Sequence, residues 1–202
     1  GGLVGYFGYD TVRYIEKKLA DSCPEDSLNT PDILLMLAEE VLVFDNLAGT
    51  LTFIITADVG IDNAYERAQG RLDALVAKLP EPTPYPDTIA LGVVNTAEIE
   101  AAAHYHTSQS EFEAWVERVR EYILDGDVMQ VVPSQRMTID FDKAPLTLYR
   151  ALRNLNPSPY MYFVDCGDFH IVGSSPEILV RLQEGEVTVR PIAGTRKRGK
   201  TV

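Results

Sequence analysis

Cysteine is scarce in this chain, with only Cys23 and Cys166 among 202 residues. Two thiols so widely spaced make neither a disulfide framework nor a metal-ligand cluster, and they fit a reducing cytoplasm. Histidine is nearly as scarce. His104 and His106 alternate as strand residues do, but no third ligand stands near them in sequence, so a solvated pair is preferred to a metal site. Long apolar runs are missing as well. The longest, Ile33 to Ala38 and Val41 to Phe44, are far too short to span a bilayer. No secretory signal is visible, and a start at Gly1-Gly2 rather than Met points to further sequence upstream. Positive charge is in deficit, with a net charge of -12. That excludes a general nucleic-acid or anionic-membrane binder, which needs clustered cations. The one basic cluster is Arg190, Arg196, Lys197, Arg198 and Lys200. An acidic chain still binds an anionic substrate where local cations or a divalent metal offset the charge. The glycine-rich opening has neither GxxxxGK[ST] nor GxGxxG spacing, so it is no phosphate loop.

What is present is the composition of a folded protein: 46% hydrophobic and 24% charged residues, enough for one large domain or parts of two. Residues 2–9 read as a glycine-rich strand, with Asp10 capping a short helix through Glu16. Residues 33–44 and 51–57 are strand-like runs joined by a hairpin loop at 45–50. A helix is predicted from about Asn63 to Leu79, where apolar residues recur at steps of three and four. Pro80, Pro82, Pro84 and Pro86 then mark a boundary. Ser108 and Glu111 form a capping box that opens a helix with an apolar stripe of Phe112, Trp115, Val116, Val119 and Ile123, stopped by Gly126. Beyond it the pattern predicts a strand over about 128–141 and a helix over about 146–155. Strands follow at 160–165, 169–173 and 177–182, then a turn at Glu184-Gly185-Glu186 and a last strand at 187–192. Strands in hairpins, with no regular βαβ alternation, predict an α+β fold of largely antiparallel sheets with packed helices.

Three stretches look unusual for plain scaffold. In residues 127–136, Pro133 interrupts a strand pattern and polar Gln130 stands among apolar neighbours, where burial would oblige it to find hydrogen bonds. In Ser174-Ser175-Pro176-Glu177, the carboxylate reads either as part of a solvated turn or as a general acid beside a leaving group. In residues 190–196, a strand running into Gly194-Thr195 exposes amides and a hydroxyl suited to a carboxylate ligand.

As a set and in this order, Gln130–Arg136, Asn156–Tyr162, Ser175–Glu177 and Pro191–Arg196 resemble the chorismate-utilising enzyme family. Residues 1–10 and 31–46 resemble the N-terminal region of its anthranilate synthase component I branch, so the resemblance covers nearly the whole chain. It implies a division into the end of that N-terminal region (1–79), a connection (80–107) and the first part of a chorismate-binding domain (108–202). Isochorismate and salicylate synthases carry a water-activating lysine at the place of Gln130. Aminodeoxychorismate synthases typically carry a nucleophilic lysine at the place of Ala193. Glutamine is no base, but neutral ammonia needs none, and Ala193 leaves space at the ring carbon. The pair therefore matches an ammonia-using anthranilate synthase, which turns chorismate into anthranilate and pyruvate.

The same resemblance makes Glu177 the acid that protonates the departing ring hydroxyl, and Gly194 and Thr195, with Ala193, the residues that hold substrate. Asn156, Pro159, Tyr160 and Met161 match a feedback site for L-tryptophan. A glutamine amidotransferase subunit is implied as the ammonia source, and Mg2+ as a cofactor whose ligands lie outside the segment. The family's magnesium-binding glutamates, its histidine and its pyruvate-side Tyr and Arg would follow Val202, and a Leu-Leu-Glu-Ser motif would precede Gly1. The 202 residues alone are accordingly expected to be inactive. Two other readings stay open: a different chorismate aminase, of the aminodeoxychorismate or phenazine type, and a non-catalytic tryptophan-binding or subunit-docking fragment.

Overall fold

The computed structural model describes residues 1–82, 95–191, 194, 197 and 199. The chain divides into two units, Gly1–Pro84 and Tyr85–Val202. Both combine helices with antiparallel strand pairs, and among the described residues every pairing is antiparallel, so the class is α+β as the sequence pattern predicts.

In the first unit, β1 (Gly2–Phe7) pairs with β2 (Ile33–Ala38) from Gly2 opposite Ala38 to Phe7 opposite Ile33. The ladder explains a glycine in mid-strand: a Cβ on Gly5 would stand 1.9 Å from the Leu34 carbonyl oxygen. The apolar run 33–44 reads as one strand, yet it breaks at Glu39 because its two halves take different partners. Its second half, β3 (Glu40–Asp45), forms a hairpin with β4 (Thr50–Ile55). The predicted loop is closed by Asp45, whose Oδ1 accepts the amides of Leu47 (2.9 Å) and Ala48 (2.8 Å). Helix α2 (Ala64–Ala77) follows Asn63, which adopts a left-handed φ of 58° that asparagine tolerates. From α2, Arg71 reaches Glu40 at 2.8 Å and Glu39 at 3.6 Å, tying helix to ladder.

The expected cap at Asp10 is not formed. Asp10 lies in a 3₁₀ turn (Tyr9–Thr11), and the short α1 (Val12–Ile15) has no side-chain cap. The carboxylate is taken instead by the Arg13 guanidinium, 2.6 Å away, a charge-assisted bond that a neutral amide does not match.

In the second unit, α3 (Thr96–Ala102) and β5 (His104–Tyr105) occupy part of the stretch read as a connection. Helix α4 (Gln109–Asp125) begins with the predicted capping box and ends at Gly126, whose φ of 83° is the left-handed close of a helix. Helix α5 (Pro145–Leu155) starts on a proline, one residue before the expected Leu146, and stops at Asn156 as predicted. The strand expected over 128–141 is largely absent: only β6 (Met137–Thr138) forms, against β5. A strand needs a neighbour to bond, Pro133 has no amide to offer one, and residues 128–136 form no ladder. Strands β7 (Tyr160–Asp165) and β8 (His170–Ser175) make a full hairpin. Its ladder brings the Tyr162 ring over Gly173, where a Cβ would lie 2.0 Å from the ring. Helix α5 lies against this hairpin, with the Tyr149 and Phe163 rings 6.1 Å apart. The strands predicted at 177–182 and 187–192 shrink to β9 (Arg181–Gln183) and β10 (Glu186–Thr188), with Ile192 outside the described residues. Positive φ at both Glu184 (51°) and Gly185 (85°) makes their turn the tight type that matches strand twist.

Among the described residues no apolar side chain is fully buried, and Thr147, 5% exposed, is the one buried residue. Strands β2 and β4 still alternate exposed and half-buried residues, so each has a distinct inner face. The stripe on α4 is similarly uncovered, with Trp115 43% exposed. Among the described residues no helix is long and apolar enough to cross a membrane.

Candidate active site

The β7–β8 hairpin assembles the chemistry of the second unit. Helix α5 ends at Asn156, whose amide still donates to the Leu152 carbonyl at 2.8 Å. Pro157 and Pro159 then prevent helix continuation, and the chain turns into β7 at Tyr160. The ladder sets Tyr160 opposite Ser175 and Met161 opposite Ser174. Two hydroxyls reinforce that junction. Ser174 Oγ donates to the Asn156 carbonyl at 2.9 Å, and Ser158 Oγ donates to the Ser175 carbonyl. The turn over 156–161 and the segment 174–177, separate in sequence, are thus one structural feature.

Glu177 follows two residues after the end of β8. It is half-buried, and its Oε1 is buried with no hydrogen-bond partner. A buried carboxyl oxygen without a partner is costly in plain scaffold. Glu177 is among the residues that line a cavity of about 490 Å³, together with Ser175, Pro176, Val189, Arg190 and Pro191. Arg190 puts positive charge on the wall, and a cavity with an acid and a guanidinium suits an anionic ligand that must receive a proton.

The residues predicted from sequence are distributed unevenly around this cavity. Glu177 lines it. Gly194 lies three residues beyond Pro191, exposed, with open space where a Cβ would be. Ala193 and Thr195 lie outside the described residues. Gln130 is exposed in the irregular stretch 128–136 and is not among the residues lining the cavity. Asn156, Pro159 and Tyr160 are exposed and Met161 is half-buried. Tyr160 and Met161 are successive strand residues, so their side chains leave opposite faces of β7. A ligand on one face meets the side chain of one and only the backbone of the other.

Sequence reasoning assigned no role to Ser158, Ser174, Ser175 or Arg190. A hydroxyl two residues before a carboxylate is a local turn signal that was available for Ser175. The bonds from Ser158 and Ser174 cross the hairpin and have no local signature.

Both ring nitrogens of His106 have protein partners. Arg136 Nη2 lies 2.9 Å from His106 Nδ1, and His106 Nε2 lies 2.7 Å from Thr138 Oγ1. A guanidinium only donates, so Nδ1 accepts and Nε2 carries the proton, which engages both ring nitrogens with protein. Desolvation, then the Arg136 charge and His104, hold the His106 imidazole below its ordinary pKa of 6.5.

Comparison with known proteins bears on the family and the fold. Residues 1–202 match the family described as chorismate binding enzyme. The chain is 56% identical over 200 residues to anthranilate synthase component 1 of Pseudomonas aeruginosa, covering 98% of this chain and 40% of that protein. It is 46% identical over 203 residues to the protein of the same name from Aquifex aeolicus, covering 100% and 40%. Among solved structures it resembles anthranilate synthase component I from Streptococcus pneumoniae, with a TM-score of 0.77 and 32% identity over 94% of this chain and 41% of that one. The chain therefore spans about 40% of the length of the curated relatives it matches.

Proposed function

This chain belongs to the chorismate binding enzyme family, and from that premise we propose that it is part of an anthranilate synthase component I, a cytoplasmic enzyme of tryptophan biosynthesis. The observation that carries the reading is its identity of 46% to 56%, over nearly all of its length, to proteins of that name.

In this reading ammonia adds to the ring of chorismate and the ring hydroxyl leaves as water, protonated by Glu177. Loss of the enolpyruvyl group as pyruvate, with a ring proton, then gives anthranilate. The balance is chorismate and ammonia in, and anthranilate, pyruvate and water out. The place of Glu177 among the residues lining the cavity supports the acid role, because a general acid must reach its leaving group within hydrogen-bonding distance. Gln130 and Ala193 leave ammonia as the nucleophile, since neither side chain is a base or attacks the ring. Gly194, Thr195 and the Arg190 guanidinium would bind the substrate's carboxylates.

A glutamine amidotransferase subunit would supply the ammonia, and L-tryptophan would act as inhibitor at the turn over Asn156–Met161. Mg2+ enters as a cofactor held by residues outside this segment. Among the described residues no group of three or more His, Cys, Asp or Glu could hold a metal ion. The test is the full-length polypeptide with chorismate, ammonium and Mg2+, read by anthranilate fluorescence. Formation of an aminated chorismate that keeps its enolpyruvyl group would refute the assignment.

A further inference from the structure

Ser175 occupies a junction that the reading above leaves without a role. Its hydroxyl donates to the Glu177 carbonyl at 2.9 Å, and the Glu177 amide approaches the Ser175 hydroxyl oxygen at 3.5 Å. The side chain therefore closes a three-residue turn around Pro176, whose ring has no amide to contribute. Its carbonyl is held in turn by the Ser158 hydroxyl, and its backbone by the ladder to Tyr160. The Glu177 Oε1 has no hydrogen bond of its own. A carboxyl oxygen with no bond to aim it inherits its direction from the backbone beneath, and the Ser175 hydroxyl is the side-chain group bonded directly to the Glu177 backbone.

We propose that Ser175 is a positioning residue for Glu177, with Ser158 as its outer anchor. The proposal rests on Glu177 being the acid and goes beyond it in naming what aims that acid. A group that aims an acid acts on the chemical step more than on substrate binding. In the full-length polypeptide, with chorismate and ammonium as substrates, Ser175→Ala lowers kcat by about 10- to 100-fold, the scale of a roughly 1 Å misplacement. KM for chorismate stays within about threefold, because ground-state binding is untouched.

Ser175→Thr keeps the hydroxyl and retains most of kcat, whereas Ser175→Val, of nearly the same volume, behaves like Ser175→Ala. A merely structural role would make Thr and Val alike. Glu177→Gln serves as the control. If it retains wild-type kcat, the acid reading itself is wrong. If it abolishes turnover while Ser175→Val keeps wild-type kcat, the positioning role alone is overturned. Should the Ser175 variants fail to fold, judged by near-ultraviolet circular dichroism, Ser158→Ala carries the test. A loss of kcat in the same direction supports the proposal, and an unchanged kcat overturns it.

Discussion

Cutting these 202 residues away from further polypeptide should abolish cooperative folding, and the size of the effect follows from exposed surface. The chain exposes 17,693 Å². Two separate globules sharing its 22.4 kDa equally would expose only about 11,400 Å², however they were arranged. The excess is about 6,300 Å², of which roughly 55–60%, or about 3,600 Å², is apolar if the surface has ordinary composition. At about 25 cal/mol per Å², that is on the order of 90 kcal/mol of burial not realised. Allowing for a compact unfolded chain removes about a third of it. The remainder still exceeds, several times over, the roughly 5–15 kcal/mol by which a domain is stable. The half-buried faces of β2 and β4 and the stripe on α4 accordingly need a cover. The relatives, 2.5 times as long by their 40% coverage, have the chain to provide one. Expressed alone, residues 1–202 should bind a hydrophobic dye, self-associate on size exclusion, lack near-ultraviolet dichroism and give no turnover. A monomer with a steep urea transition, of the slope expected for a 202-residue globule, would refute the reasoning.

Three further outcomes test individual interactions in the full-length polypeptide. Gly5→Ala puts a Cβ 1.9 Å from the Leu34 carbonyl oxygen, which only movement of the β1–β2 backbone relieves. It should cost about 3 kcal/mol in urea unfolding, and a cost near zero would mean that the ladder is not so close. Ser108→Ala removes the α4 cap and should cost about 1 kcal/mol. The Ser108 hydroxyl, with its backbone amide, holds the Glu111 carboxyl below its ordinary pKa of 4.5. The cap's contribution is therefore full above that value and lost as pH falls through the lower folded one, so a carbon-detected titration of Glu111 should move up in the variant. His106 titrates below 6.5 in the folded protein. As an imidazolium it no longer accepts from Arg136, so this bond stabilises above the ordinary imidazole pKa and is lost as pH falls through the folded value. Arg136→Ala should bring the His106 proton-resonance midpoint back up, and an unmoved midpoint contradicts the pairing.

The elements that could be read from sequence are those whose causes are local. Helix α4 was bounded at both ends because Ser108, Glu111 and Gly126 act within a turn of themselves. The loop at 45–50 was readable because Asp45 bonds amides two and three residues on. The failures are relational. Residues 128–136 have the apolar content of a strand, but a strand exists only beside a partner, and sequence does not say where one lies. Asp10 was a correct cap by type, yet Arg13 three residues on outcompeted the helix amides for it. The run over 33–44 had the right residues and the wrong number of strands, because β1 and β4 each claim half of it.

The site shows the same division at a larger scale. Motif order pointed to Glu177 and to the turn over Asn156–Met161 as two features with two roles. The hairpin makes them neighbours, since Tyr160 faces Ser175 across the ladder and Ser175 bonds Glu177 through its hydroxyl. A strand pair this short does not shift one member and spare the other without breaking its bonds, so a displacement at Tyr160 reaches the backbone that carries Glu177. The Ser158 and Ser174 hydroxyls tie the turn that leads into β7 to the end of β8. The turn over Asn156–Met161 and the backbone of Glu177 are thus joined by hydrogen bonds from three serines.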